Sequence, residues 1–245
     1  MKVLLLDIET SPNTAYVWGL WDQNVGLNQI IESSETLCWT AKWLDSHDVY
    51  FNSLHTTSRH DLVRSIHSLL DTADIVVHYN GTKFDIPTLN KEFLMEGLDP
   101  PSPYKQVDLY QVVKRSFRFP SNKLDYVVQA LGIGKKQPTS FTLWVDCMNN
   151  NADAWKVMEE YNRHDVVLLE SLYERLKPWI RQPINYSVVS HSLVCPNCGS
   201  SDYVRRGFAL TATCKYQRYK CKSCSNWFRS TKNEGPKAGQ KYATL

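Results

Sequence analysis

The sequence predicts an α/β protein in which a mixed β-sheet is flanked by helices, followed by a small C-terminal module built around cysteines. Apolar and aromatic runs near the N-terminus indicate an antiparallel meander of strands. Helical and strand patterns then alternate, which is typical of an α/β layout. Two Cys-x-x-Cys pairs near the C-terminus indicate a separate small module.

The first strand is predicted from the apolar run Val3–Leu6, which leads directly into Asp7, Ile8 and Glu9. Because successive side chains of a strand alternate, Asp7 and Glu9 face the same side. Neighbouring carboxylates repel each other unless a cation lies between them, and Mg²⁺ and Mn²⁺ prefer oxygen ligands. A solvated strand end, where acidic residues are common, is the alternative interpretation.

The remaining elements follow from periodicity and from breaker residues. Further strands are predicted over residues 16–20, 36–44, 48–53, 74–78 and 106–109. Helices are predicted over residues 59–71, 84–97, 109–117, 123–131 and 151–177. The polar stretch that begins at Pro178 has no clear period and predicts a linker. The predicted domains are therefore residues 1–178, a linker over 179–192, a cysteine module over 193–230 and a flexible basic tail over 231–245.

Composition narrows the class of protein. The chain has 245 residues and 42% hydrophobic residues, which is ordinary for a soluble protein with a substantial core. No apolar run reaches the length of a membrane span, and the opening run is too short for a signal peptide. We therefore expect a reducing compartment, the cytoplasm, where seven cysteines serve as thiols or metal ligands rather than as disulfides.

The net charge of +3 conceals an asymmetry between the two parts of the chain. From Leu193 onward there are ten basic and two acidic residues, a net charge of +8. The preceding part carries 18 basic and 23 acidic residues, a net charge of −5. A basic module behind an acidic body predicts a polyanionic partner, and nucleic acid is the partner we expect.

Two later segments each place a carboxylate on a predicted helix. Residues 78–85 leave a strand, turn at Asn80-Gly81 and enter a helix at Asp85, although an Asp at that position is also a favoured helix cap. On the longest predicted helix, Tyr161 and Asp165 lie four residues apart and so on one face. Asp165 is close to an apolar stripe, where a buried carboxylate needs a partner such as a metal ion.

Together, Asp-x-Glu on the first strand, Asn-Gly-x-x-Phe-Asp in the middle and Tyr-x-x-x-Asp on a late helix resemble the DEDD exonuclease superfamily. This group of proofreading exonucleases has a ribonuclease H-like fold. The resemblance covers roughly residues 1–177, and Tyr161 resembles the tyrosine subgroup of that superfamily. The histidine subgroup has its histidine five residues before the last Asp, where this chain has Glu160.

The resemblance implies a 3′–5′ exonuclease that uses two Mg²⁺ or Mn²⁺ ions about 4 Å apart. Asp7 is expected to bridge both ions, and Glu9 and Asp165 to complete the ion that activates the attacking water. Asp85 is expected to hold the second ion, and Tyr161 to orient the attacking water. Asp108 is expected to support the site or to be structural.

Four cysteines in two knuckles predict a zinc site: Cys195 with Cys198, and Cys221 with Cys224. This arrangement resembles a zinc ribbon, with hairpin strands over residues 203–208 and 216–220. Cys214 fits neither knuckle. A module of this size cannot hold a core unaided, so we expect one structural Zn²⁺ to fold it.

Cations and aromatics are interleaved between and after the knuckles, a mixture that suits base stacking and phosphate contact. The residues expected to bind nucleic acid are Arg205, Arg206, Tyr216, Arg218, Lys220, Trp227 and Arg229. An aromatic mini-core with a solvated basic rim is the alternative for about half of these positions.

We expect the substrate to be single-stranded DNA 3′ ends rather than RNA, although the residues themselves do not distinguish the two. A replication or repair protein is a further expected partner. Two other hypotheses remain at this stage: an inactive nucleic-acid-binding adaptor on a nuclease fold, and an exonuclease whose zinc ribbon docks a protein.

Overall fold

The computed structural model describes residues 1–44, 46–181, 184–190 and 192–236. In chain order, the strands are β1 (Val3–Thr10), β2 (Thr14–Ala15), β3 (Ile30–Glu32), β4 (Thr36–Trp43), β5 (Val49–Ser53), β6 (Ile75–His78), β7 (Lys105–Asp108), β8 (Tyr203–Leu210), β9 (Lys215–Cys221) and β10 (Trp227–Asn233). The helices are α1 (Arg59–Asp71), α2 (Asp85–Met95), α3 (Leu109–Ser116), α4 (Leu124–Ala130), α5 (Phe141–Met148), α6 (Ala152–Leu176) and α7 (Tyr186–Val189). Short 3₁₀ turns span Leu27–Gln29 and Lys177–Trp179.

A five-stranded mixed sheet forms the centre of the larger unit, in the order β5-β4-β1-β6-β7. The β1–β4 and β4–β5 pairs are antiparallel, which confirms the predicted meander. The β1–β6 and β6–β7 pairs are parallel, as expected for strands separated by helices. The predicted α/β class, a mixed sheet flanked by helices, is therefore confirmed.

The two faces of β1 differ in what they pack against. Leu4, Leu6 and Ile8 are buried in one cluster with residues of α1 and α2, including Ile66 and Phe93. The opposite face carries Asp7 and Glu9. Because strand side chains alternate, a single strand supplies apolar residues to the core on one face and carboxylates on the other.

The structure corrects several sequence-based predictions in the first half of the chain. Residues 16–20 do not form a strand, since only Thr14 and Ala15 pair, with Glu32 and Ile30. The apolar side chains there remain in solvent, and Trp18 is 99% exposed, so hydrophobicity alone was misleading. The predicted sequence elements also omitted helix α5, whose short length gives little periodicity to detect.

The structure divides into two compact units, Met1–Tyr173 and Glu174–Leu245, with the division inside α6. The second unit contains an antiparallel sheet in the order β10-β9-β8. Only the β8–β9 hairpin was predicted. Strand β10 continues to Asn233, so the first residues of the predicted flexible tail are in fact paired in a sheet.

Residues 237–245 of the predicted tail, and Pro183 in the predicted linker, lie outside the described residues. Within the described part of that linker, α7 forms one helical turn capped by the Asn185 side chain, which the composition did not indicate. None of the helices in the described part of the chain combines the length and hydrophobicity that a membrane-spanning helix requires.

Candidate functional site

The carboxyl ends of the parallel strands β1 and β6 lie at the same edge of the sheet, and the candidate acidic residues gather there. Asp7 and Glu9 project from the same face of β1. On the neighbouring strand β4, Asp7 pairs with Thr40 and Glu9 with Cys38. Asp165 is 2% exposed on α6. Each of these three residues offers a carboxylate oxygen that lies within 4.8 Å of the others. The structure therefore brings together three acids that are more than 150 residues apart in sequence at their extremes.

The arrangement suits a hard divalent cation. Its donors are all carboxylate oxygens, which Mg²⁺ and Mn²⁺ prefer. The Oδ1 atom of Asp165 is buried and has no hydrogen-bond partner among the described residues. An unpaired buried carboxylate oxygen is costly unless a ligand occupies it. The three-carboxylate group therefore fits a metal ion by its chemistry and by this one unsatisfied oxygen.

Asp85 lies beside this group rather than in it. Its Oδ1 accepts a hydrogen bond of 3.2 Å from the backbone N–H of Ile8, the residue between the two acids of β1. The turn before Asp85 requires a glycine, because a Cβ on Gly81 would lie 2.9 Å from Asp85 Oδ2 and 2.5 Å from His78 Cγ. Asp85 thus fixes the backbone that presents Asp7 and Glu9.

Asp108, the additional acid at the end of β7, ties the turn to the helix that follows. Its Oδ1 accepts hydrogen bonds from the backbone N–H groups of Asn80 at 2.9 Å and Tyr110 at 3.0 Å. Asp108 therefore caps α3 and anchors the start of the segment that leads to Asp85. This is a structural role, one of the two that the sequence predicted.

The carboxylates repel one another in a poorly solvated site. Burial raises the pKa of Asp7 well above its usual range, and the charges of Asp85, Glu9 and Asp165 raise it further. Burial likewise raises the pKa of Glu9 to about 7, against the opposing charge of Lys136. The pKa of Asp85 rises to about 7, mainly through burial. In the metal-free protein, the site therefore binds protons at neutral pH.

Three residues that the sequence analysis did not single out contact the acids. Lys136 Nζ lies 2.7 Å from Asp165 Oδ2. Asn162 Nδ2 donates a 2.6 Å hydrogen bond to Asp7 Oδ2. Trp144 Nε1 donates to Glu9 Oε2 at 3.2 Å.

Only one of these three contacts had a sequence signal. Asn162 lies three residues before Asp165 and hence on the same side of α6. Lys136 lies in a loop that packs closely on α6 at Gly134, where a Cβ would lie 2.9 Å from Leu168 Cδ2. Trp144 belongs to the unpredicted helix α5. Neither position has a local pattern that points to the site.

Tyr161 lies on α6 one turn before Asp165 and is 6% exposed. The Lys136 ammonium lies 4.9 Å from the centre of its ring. Burial raises the pKa of the Tyr161 hydroxyl, and the charges of Asp165 and Glu9 raise it further. The hydroxyl therefore remains protonated at neutral pH and can donate a hydrogen bond.

Stability of the metal-free protein should fall as the pH rises from 5 to 8. The carboxyl pKa values of Glu9 and Asp85 are about 7 in the folded state, above their ordinary values of 4.5 and 3.8. The folded state then binds more protons than the unfolded state, so the stability present at low pH is lost as the pH passes through 7.

Calorimetry of the first unfolding transition in chelator-treated buffer measures this effect. Glu9→Gln, which has no carboxyl to titrate, should show a flatter dependence on pH. A melting temperature that increases from pH 5 to pH 8 in the metal-free parent would contradict the assignment of raised pKa values.

The four knuckle cysteines form a second cluster, in the C-terminal unit. All four sulfur atoms lie within 4.8 Å of one another. The Cys195–Cys224 and Cys198–Cys221 sulfur pairs are each 3.7 Å apart. Tetrahedral Zn²⁺ with Zn–S bonds of about 2.3 Å places its sulfur ligands about 3.8 Å apart. The separation is too long for a disulfide and fits a zinc tetrahedron.

The local backbone prepares one thiol for metal binding. Burial opposes ionisation of Cys221, but the backbone N–H groups of Cys224 and Ser223 help to lower the pKa of Cys221 to about 7. Cys214 lies in the β8–β9 turn, where its backbone bonds Thr211. It is not a member of the four-cysteine group.

The three-stranded sheet separates the predicted nucleic-acid-binding residues by face. Strand alternation and register place five of them on one face: Tyr216, Arg218, Lys220, Trp227 and Arg229. We call this set the basic–aromatic face. Its cations lie over its rings, with Arg229 3.8 Å from the centre of Tyr216 and Arg218 5.1 Å from that of Trp227.

The other face of the sheet holds an aromatic mini-core of Tyr203, Tyr219 and Phe228, with ring centres 5.2–5.5 Å apart. Arg205 pairs with Tyr219 and so belongs to this side rather than to the basic–aromatic face. Arg206 follows Arg205 at a bulge, and its carbonyl accepts a hydrogen bond from Arg218 Nε at 2.9 Å. One face is therefore an aromatic mini-core, and nucleic-acid binding by the opposite face stays a prediction.

A basic cavity of about 560 Å³ adjoins the carboxylates, and Lys136 contributes to both. Four lysines line it: Lys83, Lys114, Lys123 and Lys136. Tyr79 and Tyr110 also line it, with their rings edge to face at 5.9 Å. The cavity thus provides positive charge and aromatic surface beside an acidic centre.

Comparison with known proteins places this architecture. The model of the RNase H superfamily matches residues 4–177. Among solved structures, the family B DNA polymerase of the hyperthermophilic archaeon Pyrobaculum calidifontis matches with a TM-score of 0.55 and 16% identity over 89% of this chain. At this low identity the likeness shows the fold alone, and the match covers 33% of the polymerase chain. No curated protein matches the sequence. The chain belongs to the RNase H superfamily, whose model spans the five-stranded sheet and all three grouped carboxylates.

Proposed function

We propose that this protein is a 3′–5′ exonuclease that depends on Mg²⁺ or Mn²⁺ and hydrolyses phosphodiester bonds of single-stranded nucleic acid, with DNA as the expected substrate. The grouping of Asp7, Glu9 and Asp165 carries the proposal. Membership of the RNase H superfamily supports a nuclease. The 3′–5′ direction rests on the resemblance of the sequence motifs to the DEDD exonucleases of the tyrosine subgroup.

The proposed ligands of the divalent ions are Asp7, Glu9 and Asp165, with Asp85 proposed for the second ion. Bound ions would offset the negative charge of the acids and activate a water molecule for attack on phosphorus. The protein's own contribution is orientation. Asn162 fixes the carboxylate of Asp7, and Trp144 fixes that of Glu9.

Lys136 and Tyr161 supply groups that an anionic substrate requires. Burial raises the pKa of Asp165, and Lys136 opposes that rise and keeps a cation beside the acids before any ion is bound. The protonated Tyr161 hydroxyl would hold the attacking water by a hydrogen bond. Pre-positioned donors of this kind stabilise charge in the transition state without reorganisation.

The strand itself needs contacts away from the acids. We propose that the lysine-lined cavity holds phosphates close to the 3′ end, because it is contiguous with the site through Lys136. The basic–aromatic face would bind a further part of the strand by stacking and charge. In this proposal residues 1–178 form the exonuclease domain, 179–192 a linker and 193–230 a zinc ribbon that assists binding.

End-labelled oligonucleotides test the proposal. With Mg²⁺, a 5′-labelled single strand should give a ladder of progressively shorter products, whereas a 3′-labelled strand should release labelled mononucleotide at once. Both DNA and RNA strands should be digested in parallel, which also determines the preferred sugar. Release of the 5′ label first would contradict the direction, and no cleavage with either ion would favour the inactive adaptor.

Replacing Tyr161 by Phe should slow cleavage and leave metal binding intact, because only the hydroxyl is lost. Groups that position or deprotonate a nucleophile typically contribute about 10²–10⁴-fold to the rate. Single-turnover cleavage and Mn²⁺ titration measure the two effects separately. Tyr50→Phe removes an exposed tyrosine hydroxyl on β5, away from the site and the lysine-lined cavity, and serves as the matched control. A parental cleavage rate for Tyr161→Phe would return Tyr161 to a packing role.

A further inference from the structure

A cavity of about 310 Å³ in the C-terminal unit has no part in the proposed function so far. Ligand cavities in proteins begin at about 300 Å³, so one flat ring system would fit. Seven of the described residues of this unit line it: Ile180, Arg181, Asn185, Pro196, Asn197, Asn226 and Trp227. We call it the amide cavity, because three of the seven side chains are asparagines.

Trp227 connects the amide cavity to the basic–aromatic face. Its side chain is 51% exposed, so a large part of the indole is open to a ligand. The Arg218 guanidinium and the Lys220 ammonium lie 5.1 Å and 5.7 Å from the centre of the indole ring. An aromatic surface with adjacent cations is the combination that holds a base together with its phosphates.

The asparagines supply both hydrogen-bond donors and acceptors. The Asn226 and Asn197 side-chain N–H groups donate to the carbonyls of Pro178 and Lys177, which fixes both amides. Asn197 is 3% exposed, and its Oδ1 has no hydrogen-bond partner in the described part of the chain. Because that oxygen is also closed to solvent, the acceptor offered to a ligand is the Oδ1 of the partly exposed Asn226.

Among the described residues, the lining contains one charged side chain, Arg181, and no carboxylate. The charge of the lining therefore favours an anionic ligand and does not attract a cationic one. Neutral, planar and hydrogen-bonding groups attached to a phosphate chain satisfy all of these features. Nucleobases have this chemistry, since their edges match amide side chains and their faces stack on indole.

We propose that the amide cavity is a nucleobase site: one base of a single strand stacks on Trp227 and hydrogen-bonds to the asparagine amides. This inference rests on the proposed binding of nucleic acid by the C-terminal unit. It adds that one base enters a cavity and is held there by hydrogen bonds to asparagine amides as well as by stacking. Double-stranded nucleic acid, whose bases are already stacked and paired, would not fill the cavity.

Fluorescence anisotropy with two labelled 12-nucleotide single strands tests the proposal. One strand has all its bases, and the other carries reduced abasic sites throughout, so the two differ in bases but not in phosphates. The full-length chain with Asp7→Asn is used, so that the strands stay intact during titration. The base-containing strand should bind about tenfold more tightly, which is the usual effect of one stacked base.

Variants of the cavity should remove this difference. Trp227→Ala should bring the two affinities within about twofold while leaving the affinity for the abasic strand nearly unchanged, and Trp227→Phe should restore most of the difference. Phe208→Ala, which removes an exposed aromatic from the other face of the same sheet, should preserve the parental ratio.

Asn185→Asp provides a test that does not remove a large side chain. The Asn185 side chain caps α7, and Asp caps a helix equally well, so the fold should be retained. The added carboxylate should repel the strand and weaken binding of the base-containing strand about tenfold.

Equal binding of the two strands by the parent would overturn the base site but not nucleic-acid binding. A parental ratio in Trp227→Ala would overturn it as well. Absence of binding to both strands would instead contradict the proposed role of the C-terminal unit.

Discussion

Asp7→Asn should reduce Mg²⁺-dependent cleavage by about 10³-fold or more, because several kcal/mol of transition-state stabilisation come from the bound ions. Beyond the effect of burial, the charges of three neighbouring carboxylates raise the pKa of Asp7. Asparagine has the same shape but no charge, so the ions lose a ligand while the strand keeps its packing.

Asp7→Asn should lower the cleavage rate but raise the stability of the metal-free protein. Removing one of several mutually repelling carboxylates relieves charge repulsion in the metal-free protein. The melting temperature of metal-free Asp7→Asn should therefore exceed that of the metal-free parent at pH 8, and Mg²⁺ should stabilise the variant less than the parent. A misfolded variant would show the reverse, so calorimetry separates loss of chemistry from loss of fold.

Asp99→Asn is the matched control, because Asp99 is an exposed acid outside the three-carboxylate group. It should cleave at the parental rate. If Asp7→Asn also cleaves labelled single strands at the parental rate, the metal-ion assignment is wrong.

Cys221→Ser should remove zinc and unfold most of the C-terminal unit. Structural zinc sites contribute about 10–16 kcal/mol of apparent binding free energy, and such energy is folding energy when the unit has little core of its own. In this unit the aromatic mini-core of Tyr203, Tyr219 and Phe228 is small. Loss of one of the four thiolates should therefore be enough to release the zinc ion and unfold the unit.

Elemental analysis and hydrogen exchange measure the two consequences of Cys221→Ser. The parent should carry one zinc ion per chain, and the variant close to none, with amides of β8–β10 losing their protection. Cys214→Ser changes a cysteine outside the four-cysteine group and should retain both zinc and protection. A Cys221→Ser protein with full zinc and parental protection would contradict the zinc assignment.

The sequence was most informative where local rules and tertiary packing agree. Alternation along β1 predicted that Asp7 and Glu9 share a face, and helical spacing predicted that Asp165 lies near the buried stripe of α6. Both predictions concern the direction of side chains along a single strand or helix, and the local backbone geometry fixes that direction. The knuckle spacing predicted the four-cysteine cluster for a similar reason.

Other parts of the site depend on contacts that no local pattern encodes. Lys136 reaches Asp165 because a loop packs on α6 at Gly134, and Trp144 reaches Glu9 from a short helix. Residues 16–20 were predicted as a strand because their side chains are apolar, yet Trp18 is 99% exposed. Composition could not show which apolar segment the core would leave in solvent.

The most direct test of the proposed metal centre is anomalous diffraction from crystals of this protein soaked in Mn²⁺. An anomalous peak at the manganese edge should lie within coordinating distance of carboxylate oxygens of Asp7, Glu9 and Asp165. The peak should be absent in Asp7→Asn crystals treated in the same way. A parent crystal with saturating Mn²⁺ and no peak at these three carboxylates would contradict the claim that they form the catalytic metal centre.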